Sequence, residues 1–183
     1  MVTYFTSMAA LQLPSNSARL FVVMGVAGCG KSTVGQAWAE AIGAEFLDGD
    51  SYHPPANIEK MSRSEPLDDN DRWPWLDRFA QAMATSDGLV VGACSALKRE
   101  YRRRISQASG ESVCYIYLEG DPDLIGRRIA ARDDHFMPAD MLTSQLAILE
   151  PPGRDENAIR VDISGSTDDI IASIQSKLLK EPL

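Results

Sequence analysis

The stretch Gly25-Val26-Ala27-Gly28-Cys29-Gly30-Lys31-Ser32 fills every fixed position of G-x-x-x-x-G-K-[ST], directly after the apolar run Leu20 to Met24. Few other features constrain a fold so tightly. A ring of backbone N–H donors at a helix N-terminus is an efficient way to hold several phosphate charges in a small space. Gly25, Gly28 and Gly30 free the backbone to form that ring, Lys31 can reach the β- and γ-phosphates, and Ser32 can offer its hydroxyl to Mg²⁺. A buried strand is expected before the loop, and a helix after it through Val34, Ala37, Trp38 and Ala41.

The rest of the chain bounds what such a loop can serve. Its 183 residues suit one domain, expected over 19–183 after an N-terminal extension of 1–18. Lys plus Arg total 18 against 26 Asp plus Glu, a net charge of -8, which argues against a broad nucleic-acid surface but leaves room for small anions. No apolar run approaches the roughly 18 residues of a membrane span. The three cysteines, Cys29, Cys94 and Cys114, form no C-x-x-C pair. A reducing cytoplasm without a secretory leader is the expectation.

Apolar, β-rich runs at Leu20 to Met24, Ala44 to Asp48, Leu89 to Cys94, Val113 to Leu118 and Ile159 to Ile163 alternate with helical patterns. That alternation predicts an α/β protein whose parallel strands are buried on both faces, with ligands at their C-terminal ends. Ser51 to Ser86 is too long for a plain crossover and forms an insertion, with a helix expected from Trp73 or Pro74. Trp73 and Trp75 are expected to pack that helix on the core. Arg132 to Ala139 is polar and short of apolar anchors, the pattern of a mobile lid.

Asp48-Gly49-Asp50 ends the second strand, where one carboxylate can support Mg²⁺ and the other can accept a proton from an attacking hydroxyl. On an extended chain the two acids point the same way, and Gly49 would let a ligand approach the backbone. Of the basic run Lys98 to Arg104, Lys98 and Arg102 stand one helical turn apart, placed to meet an anionic substrate. Arg99, Arg103 and Arg104 suit a solvated face. Asp121 and Pro122 open a helix that carries Arg127, Arg128 and Arg132 towards the lid stretch, with Arg128 and Arg132 spaced to neutralise transition-state charge. The two histidines, His53 and His135, have no zinc spacing and are left for substrate hydrogen bonds.

Taken in order, these blocks resemble the small phosphate-loop gluconokinases, relatives of shikimate and nucleoside monophosphate kinases. The resemblance runs from Phe21 to Asp162. It rests on Phe46-Leu47-Asp48-Gly49-Asp50, His53-Pro54 with Asn57, Lys60 and Met61, Pro66-Leu67 with Asp69, and Asp71-Arg72 with Pro74-Trp75-Leu76. Further on come Cys94-Ser95-Ala96-Leu97-Lys98 with Tyr101-Arg102, Arg128 with Arg132, His135-Phe136-Met137-Pro138, and Ser144-Gln145 with Leu149-Glu150-Pro151-Pro152.

The resemblance implies a three-layer P-loop NTPase fold, a parallel five-stranded sheet flanked by helices. It also implies a lid near 126–139 and a substrate-binding insertion near 51–86. The implied activity is ATP-dependent phosphorylation of D-gluconate at its 6-hydroxyl by a cytosolic homodimer. ATP would lie along Gly25, Val26, Ala27, Gly28, Cys29, Gly30, Lys31, Ser32 and Thr33, and Ser32 and Asp48 would hold Mg²⁺. Lys31, Asp50, Arg128 and Arg132 would carry catalysis, with Asp50, His53, Lys60, Arg72, Lys98, Arg102 and His135 on the substrate side. The chain departs from the family pattern at Ala27, Cys29, Ser64 and Asp134. Cys29 adds an oxidisable thiol, and Asp134 removes a glycine from the lid.

Other classes fit less well. The His53 to Met61 and Pro66 to Leu76 blocks argue against shikimate or a nucleoside monophosphate as acceptor. A nucleotide switch would need N-K-x-D, which the chain does not contain. An ATP-driven nucleic-acid motor is disfavoured by charge and length.

Overall fold

The computed structural model describes residues 18–63, 65–131 and 139–180. Ser64, residues 1–17 of the N-terminal extension, and the lid residues Arg132, Asp134 and His135 lie outside these.

Strands β1 (Leu20–Met24), β2 (Glu45–Asp48), β3 (Val90–Ala93), β4 (Val113–Glu119) and β5 (Ala158–Asp162) form one sheet in the order β2-β3-β1-β4-β5. Every pairing is parallel. Side chains alternate across the pleat, so a strand covered on both faces must be apolar throughout. That is why β1 is Leu-Phe-Val-Val-Met and wholly buried. Phe21 and Val23 face α1 (Lys31–Ile42), α5 (Pro122–Ala130) and α7 (Thr167–Lys180), packing with Trp38, Ile125, Ile174 and Leu178. Leu20, Val22 and Met24 face α3 (Asp69–Thr85) and α4 (Arg99–Ser109), packing with Leu76, Phe79, Met83 and Ile105. The result is the expected three-layer α/β arrangement, a parallel five-stranded sheet flanked by helices, with α2 (Pro55–Ser62) and α6 (Ala139–Ile148) beside it.

One boundary departs from expectation. Helix α3 starts at Asp69 rather than at Trp73 or Pro74, and Pro74 lies inside it. A capping box supplies the start: the Asp68 carboxylate accepts from Asp71 N–H, and that of Asp71 accepts from Asp68 N–H. Burial of Trp75, Leu76 and Phe79 then outweighs the backbone bond that Pro74 cannot donate.

Because β1 is central, its C-terminal end opens onto both halves of the sheet. The turn after β2 and the loop after β3 lie on one side, and the ends of β4 and β5 on the other.

Candidate active site

At the end of β1 the chain turns through Gly25, Gly28 and Gly30 at φ of 142°, 81° and 98°, values that side-chain-bearing residues rarely adopt. Gly30 is the N-cap of α1, no side chain caps it, and the first turn holds no acid. The first backbone bond of the helix runs from Val34 N–H to Gly30 O at 2.9 Å, so the amides of Lys31, Ser32 and Thr33 precede it and aim outward. An anion is the natural partner for such an end. Lys31 Nζ folds back onto Val26 O at 3.0 Å, a contact that phosphate oxygens can replace. The Cys29 side chain instead points away from solvent into the core. Burial raises its pKa, with the charges of Lys31 and Arg128 opposing the shift, so the expectation of an oxidation-prone thiol is corrected.

The turn after β2 stands against this loop. Ser32 Oγ donates to Asp48 Oδ2 at 3.1 Å, and Asp48 Oδ1 accepts from Asp50 N–H at 3.0 Å. Asp48 thereby caps a single-turn 3-10 helix, Gly49–Tyr52. The two acids therefore do not share an extended chain: Asp48 turns back towards Ser32, whereas the Asp50 side chain is 88% exposed. Gly49 is also needed for a different reason than expected. A Cβ there would lie 2.5 Å from Ala93 O, so the close approach is to β3 and not to a ligand. Trp75 Nε1 donates to Gly49 O at 2.7 Å, which makes the packing tryptophan a fixture of this turn. Ser32 Oγ and Asp48 Oδ2 are hard oxygen donors at one point, a set that suits Mg²⁺ sharing its remaining positions with water and phosphate.

Beyond Asp50 lies a cluster of charges already engaged with one another. Lys60 Nζ is 2.8 and 2.7 Å from the two Asp71 oxygens, and Lys98 Nζ is 3.0 and 2.8 Å from those of Asp69. Arg72 donates to Asp69 and to Tyr101 Oη, both at 3.3 Å, and Tyr101 Oη donates to Asp69. The Lys98 ammonium and Tyr101 hydroxyl hold Asp69 below the usual carboxylate range, and Lys60 does the same for Asp71. His53 is buried beside Asp50, stacked on Trp75 with ring centroids 4.1 Å apart.

Arg102 does not join this cluster. Its side chain is 1% exposed, and its guanidinium grips Glu156 through two bonds of 2.6 and 2.9 Å. It also donates to Ala96 O, Leu97 O and Glu150 O at 3.1, 3.3 and 2.9 Å. The expected pairing of Lys98 with Arg102 on a substrate is thus corrected. Lys98 is the N-cap of α4, outside the helix proper, and Arg102 turns inward. Arg102 secures the segment before α4, in which Ala96 is buried at φ 43°, an unfavourable conformation for a residue with a Cβ. Gly25 N–H donates to Ser95 O at 3.3 Å, so that segment also touches the phosphate loop. Arg99 and Arg104 pair at the surface with Asp155 and Asp77.

Arg128 lies on α5, capped by Asp121 as expected, and its guanidinium donates to Ile163 O at 2.8 Å just past β5. Arg132 and His135 fall outside the described residues. Two polar side chains outside the expected site set take part in it. Gln145 of α6 accepts from Ala27 N–H in the phosphate loop at 2.7 Å, across 118 residues of sequence. Asn57 bonds to His53 at 3.2 Å and to Asp71 O at 2.9 Å; its i, i+4 spacing from His53 was the available signal.

A nucleotide loop at the central strand of a parallel sheet, faced by a carboxylate turn and a basic acceptor side, defines a P-loop kinase for a small anionic acceptor. The AAA domain family matches residues 20–152. The chain is 42% identical to the thermoresistant gluconokinase of Escherichia coli K12 over 84% of this chain and 90% of that protein. It is 44% identical to the gluconokinase of Gluconobacter oxydans 621H over 78% and 82%. Among solved structures, a gluconokinase from Sinorhizobium meliloti 1021 superposes with a TM-score of 0.80 at 41% identity, over 88% of this chain and 91% of that one. The chain belongs to the gluconokinase family.

Proposed function

We propose that this enzyme transfers the γ-phosphoryl group of ATP to the 6-hydroxyl of D-gluconate, giving 6-phospho-D-gluconate and ADP. The observation that carries the reading is the junction of the two halves. Ser32 and Asp48 meet at the mouth of an uncapped phosphate loop, and Asp50 stands exposed between them and the basic acceptor side.

In this reading the amides from Gly28 to Thr33 and the Lys31 ammonium hold the triphosphate. Mg²⁺, carried by Ser32 and Asp48, supplies charge neutralisation on the phosphates. Asp50 accepts the hydrogen bond of the 6-hydroxyl and aligns its oxygen on the γ-phosphorus. As the new P–O bond forms and the bond to the β-phosphate oxygen breaks, the hydroxyl proton passes to the Asp50 carboxylate. The transition state is loose, so alignment counts as much as basicity. Lys60, Arg72 and Lys98 receive the substrate carboxylate and hydroxyls by exchanging bonds with Asp69 and Asp71. Arg128, with Arg132 from a lid near 126–139, neutralises charge on the transferring group, and His135 of that lid hydrogen-bonds the substrate. The same reading makes the enzyme a cytoplasmic homodimer; sedimentation of the purified protein tests the dimer.

A coupled ADP-release assay with Mg-ATP against gluconate, shikimate, glycerate and AMP tests the acceptor. Turnover is expected with gluconate well above the others. Equal or greater turnover with another acceptor overturns the assignment.

A further inference from the structure

We propose that Asn57 is a positioning residue that locks His53 in its Nε2–H tautomer, so that the ring donates a hydrogen bond towards Asp50 and the acceptor hydroxyl. The kinetic part of this rests on the gluconokinase reading above; the tautomer itself does not.

The argument starts at a backbone carbonyl. Asn57 Nδ2 lies 2.9 Å from Asp71 O, and a carbonyl can only accept, so the atom facing it must be the amide nitrogen. The same Nδ2 lies 3.2 Å from His53 Nδ1. An NH₂ group has two hydrogens, and here one goes to each neighbour. His53 Nδ1 must therefore be an acceptor, and in a neutral imidazole the proton is then on Nε2. Asn57 is 3% exposed, so water does not compete for its amide. The ring plane is fixed as well. Trp75 stacks on it at 15°, and Trp75 is held in turn by its bond to Gly49 O.

With tautomer and plane both set, Nε2–H points to the side of Asp50, whose Oδ1 is 3.9 Å away. That is longer than a hydrogen bond, and it leaves room for the exposed Asp50 side chain to swing closer or for a substrate hydroxyl to bridge the two. An imidazolium would set Nδ1–H against the Asn57 amide hydrogens, so the same contact disfavours the charged ring. Burial acts in the same direction, lowering the His53 pKa together with Arg72, while Asp50 opposes.

The chain has only two histidines, which makes the ring directly readable by long-range ¹H–¹⁵N correlation of the intact protein. The signals lost in His53→Gln identify it. Wild-type protein at neutral pH is expected to show Nε2 protonated and Nδ1 bare, with Asn57→Ala shifting His53 towards a mixture. In turnover, Asn57→Ala is expected to lose about tenfold in kcat, the rate equivalent of one hydrogen bond, with KM for ATP unchanged. His53→Gln, which keeps a donor at the ε position, is expected to outperform His53→Asn, which places one only at the δ position. An Nδ1–H tautomer in the wild type, or a His53→Asn enzyme at least as active as His53→Gln, overturns the proposal. If gluconate fails as a substrate, the spectrum of the unmutated protein still decides the tautomer, and the acceptor assay alone decides the reaction.

Discussion

The two halves of this site prepare for their ligands in opposite ways. On the donor side, the groups proposed to meet phosphate are backbone amides left open by the geometry of a helix start, at Lys31, Ser32 and Thr33. On the acceptor side, the groups are long charged side chains that already hold partners: Lys60 with Asp71, and Lys98 and Arg72 with Asp69. Open amides need no rearrangement to bind, and their charge is spread over fixed dipoles. Paired ammonium and guanidinium groups must give up one carboxylate to gain another. Such an exchange yields little net affinity but strong discrimination, because an acceptor lacking the right oxygens leaves the displaced partners unsatisfied.

Asp50 stands at the seam, and its replacement tests whether the halves are separable. Asp50→Asn is expected to lower kcat by roughly 10² to 10⁴, the range for a positioned acid–base group, while ATP affinity measured by calorimetry stays at the wild-type value. A parallel loss of ATP affinity would break the comparison. The Arg102 clamp is the next largest effect. Arg102→Met strands Glu156 in a largely buried position and is expected to cost about 3–5 kcal/mol of stability, read from denaturant unfolding. Titrating His53 gives a smaller effect, and its sign follows from the lowered pKa. The unfolded chain binds a proton near the ordinary value of about 6.5, whereas the folded ring resists it, so stability is fully present above that pH. It is lost as pH falls from there through the lowered folded value, along with kcat, and His53→Gln is expected to flatten that limb. Smallest is Ala96→Gly, which removes the penalty of a positive φ at the cost of a looser unfolded chain. A net gain of up to about 1 kcal/mol is expected, with turnover reduced if the strain keeps Ser95 and Lys98 aligned.

The same contrast explains what the sequence made legible. The inner strands β1, β3 and β4 were visible because burial on both faces requires uninterrupted apolar runs. The edge strands β2 and β5 are partly exposed and were legible from shorter β-rich runs, and the observed limits of all five differ from the expected ones by one residue at most. The phosphate loop was visible because its chemistry is local: eight consecutive residues place their own amides. The acceptor side is not local. Nothing in the spacing of Lys98 and Arg102 tells which of them turns inward, since that depends on Glu156, which lies 54 residues past Arg102. Pro74 suggested a helix start because proline favours first turns, yet the Asp68–Asp71 box one turn earlier prevailed. Gly49 was rightly singled out but for the wrong neighbour, because the crowding atom is a carbonyl on the adjacent strand.

The distance along the chain between Arg102 and Glu156 also sets an order of events during synthesis. The strand at the centre of the sheet is made first, and β3 beside it and β2 at the edge beyond β3 are complete by Ala93. Arg102 leaves the ribosome soon afterwards, with the carboxylate that will neutralise it still to be translated. Until Glu156 arrives, burying that guanidinium would strand a bare cation in the interior, so the nascent chain has reason to keep the segment around Ala96 open. The acceptor wall is thus spelled out early and locked late, and a chain released before Glu156 would carry the phosphate loop without the clamp that steadies its neighbour.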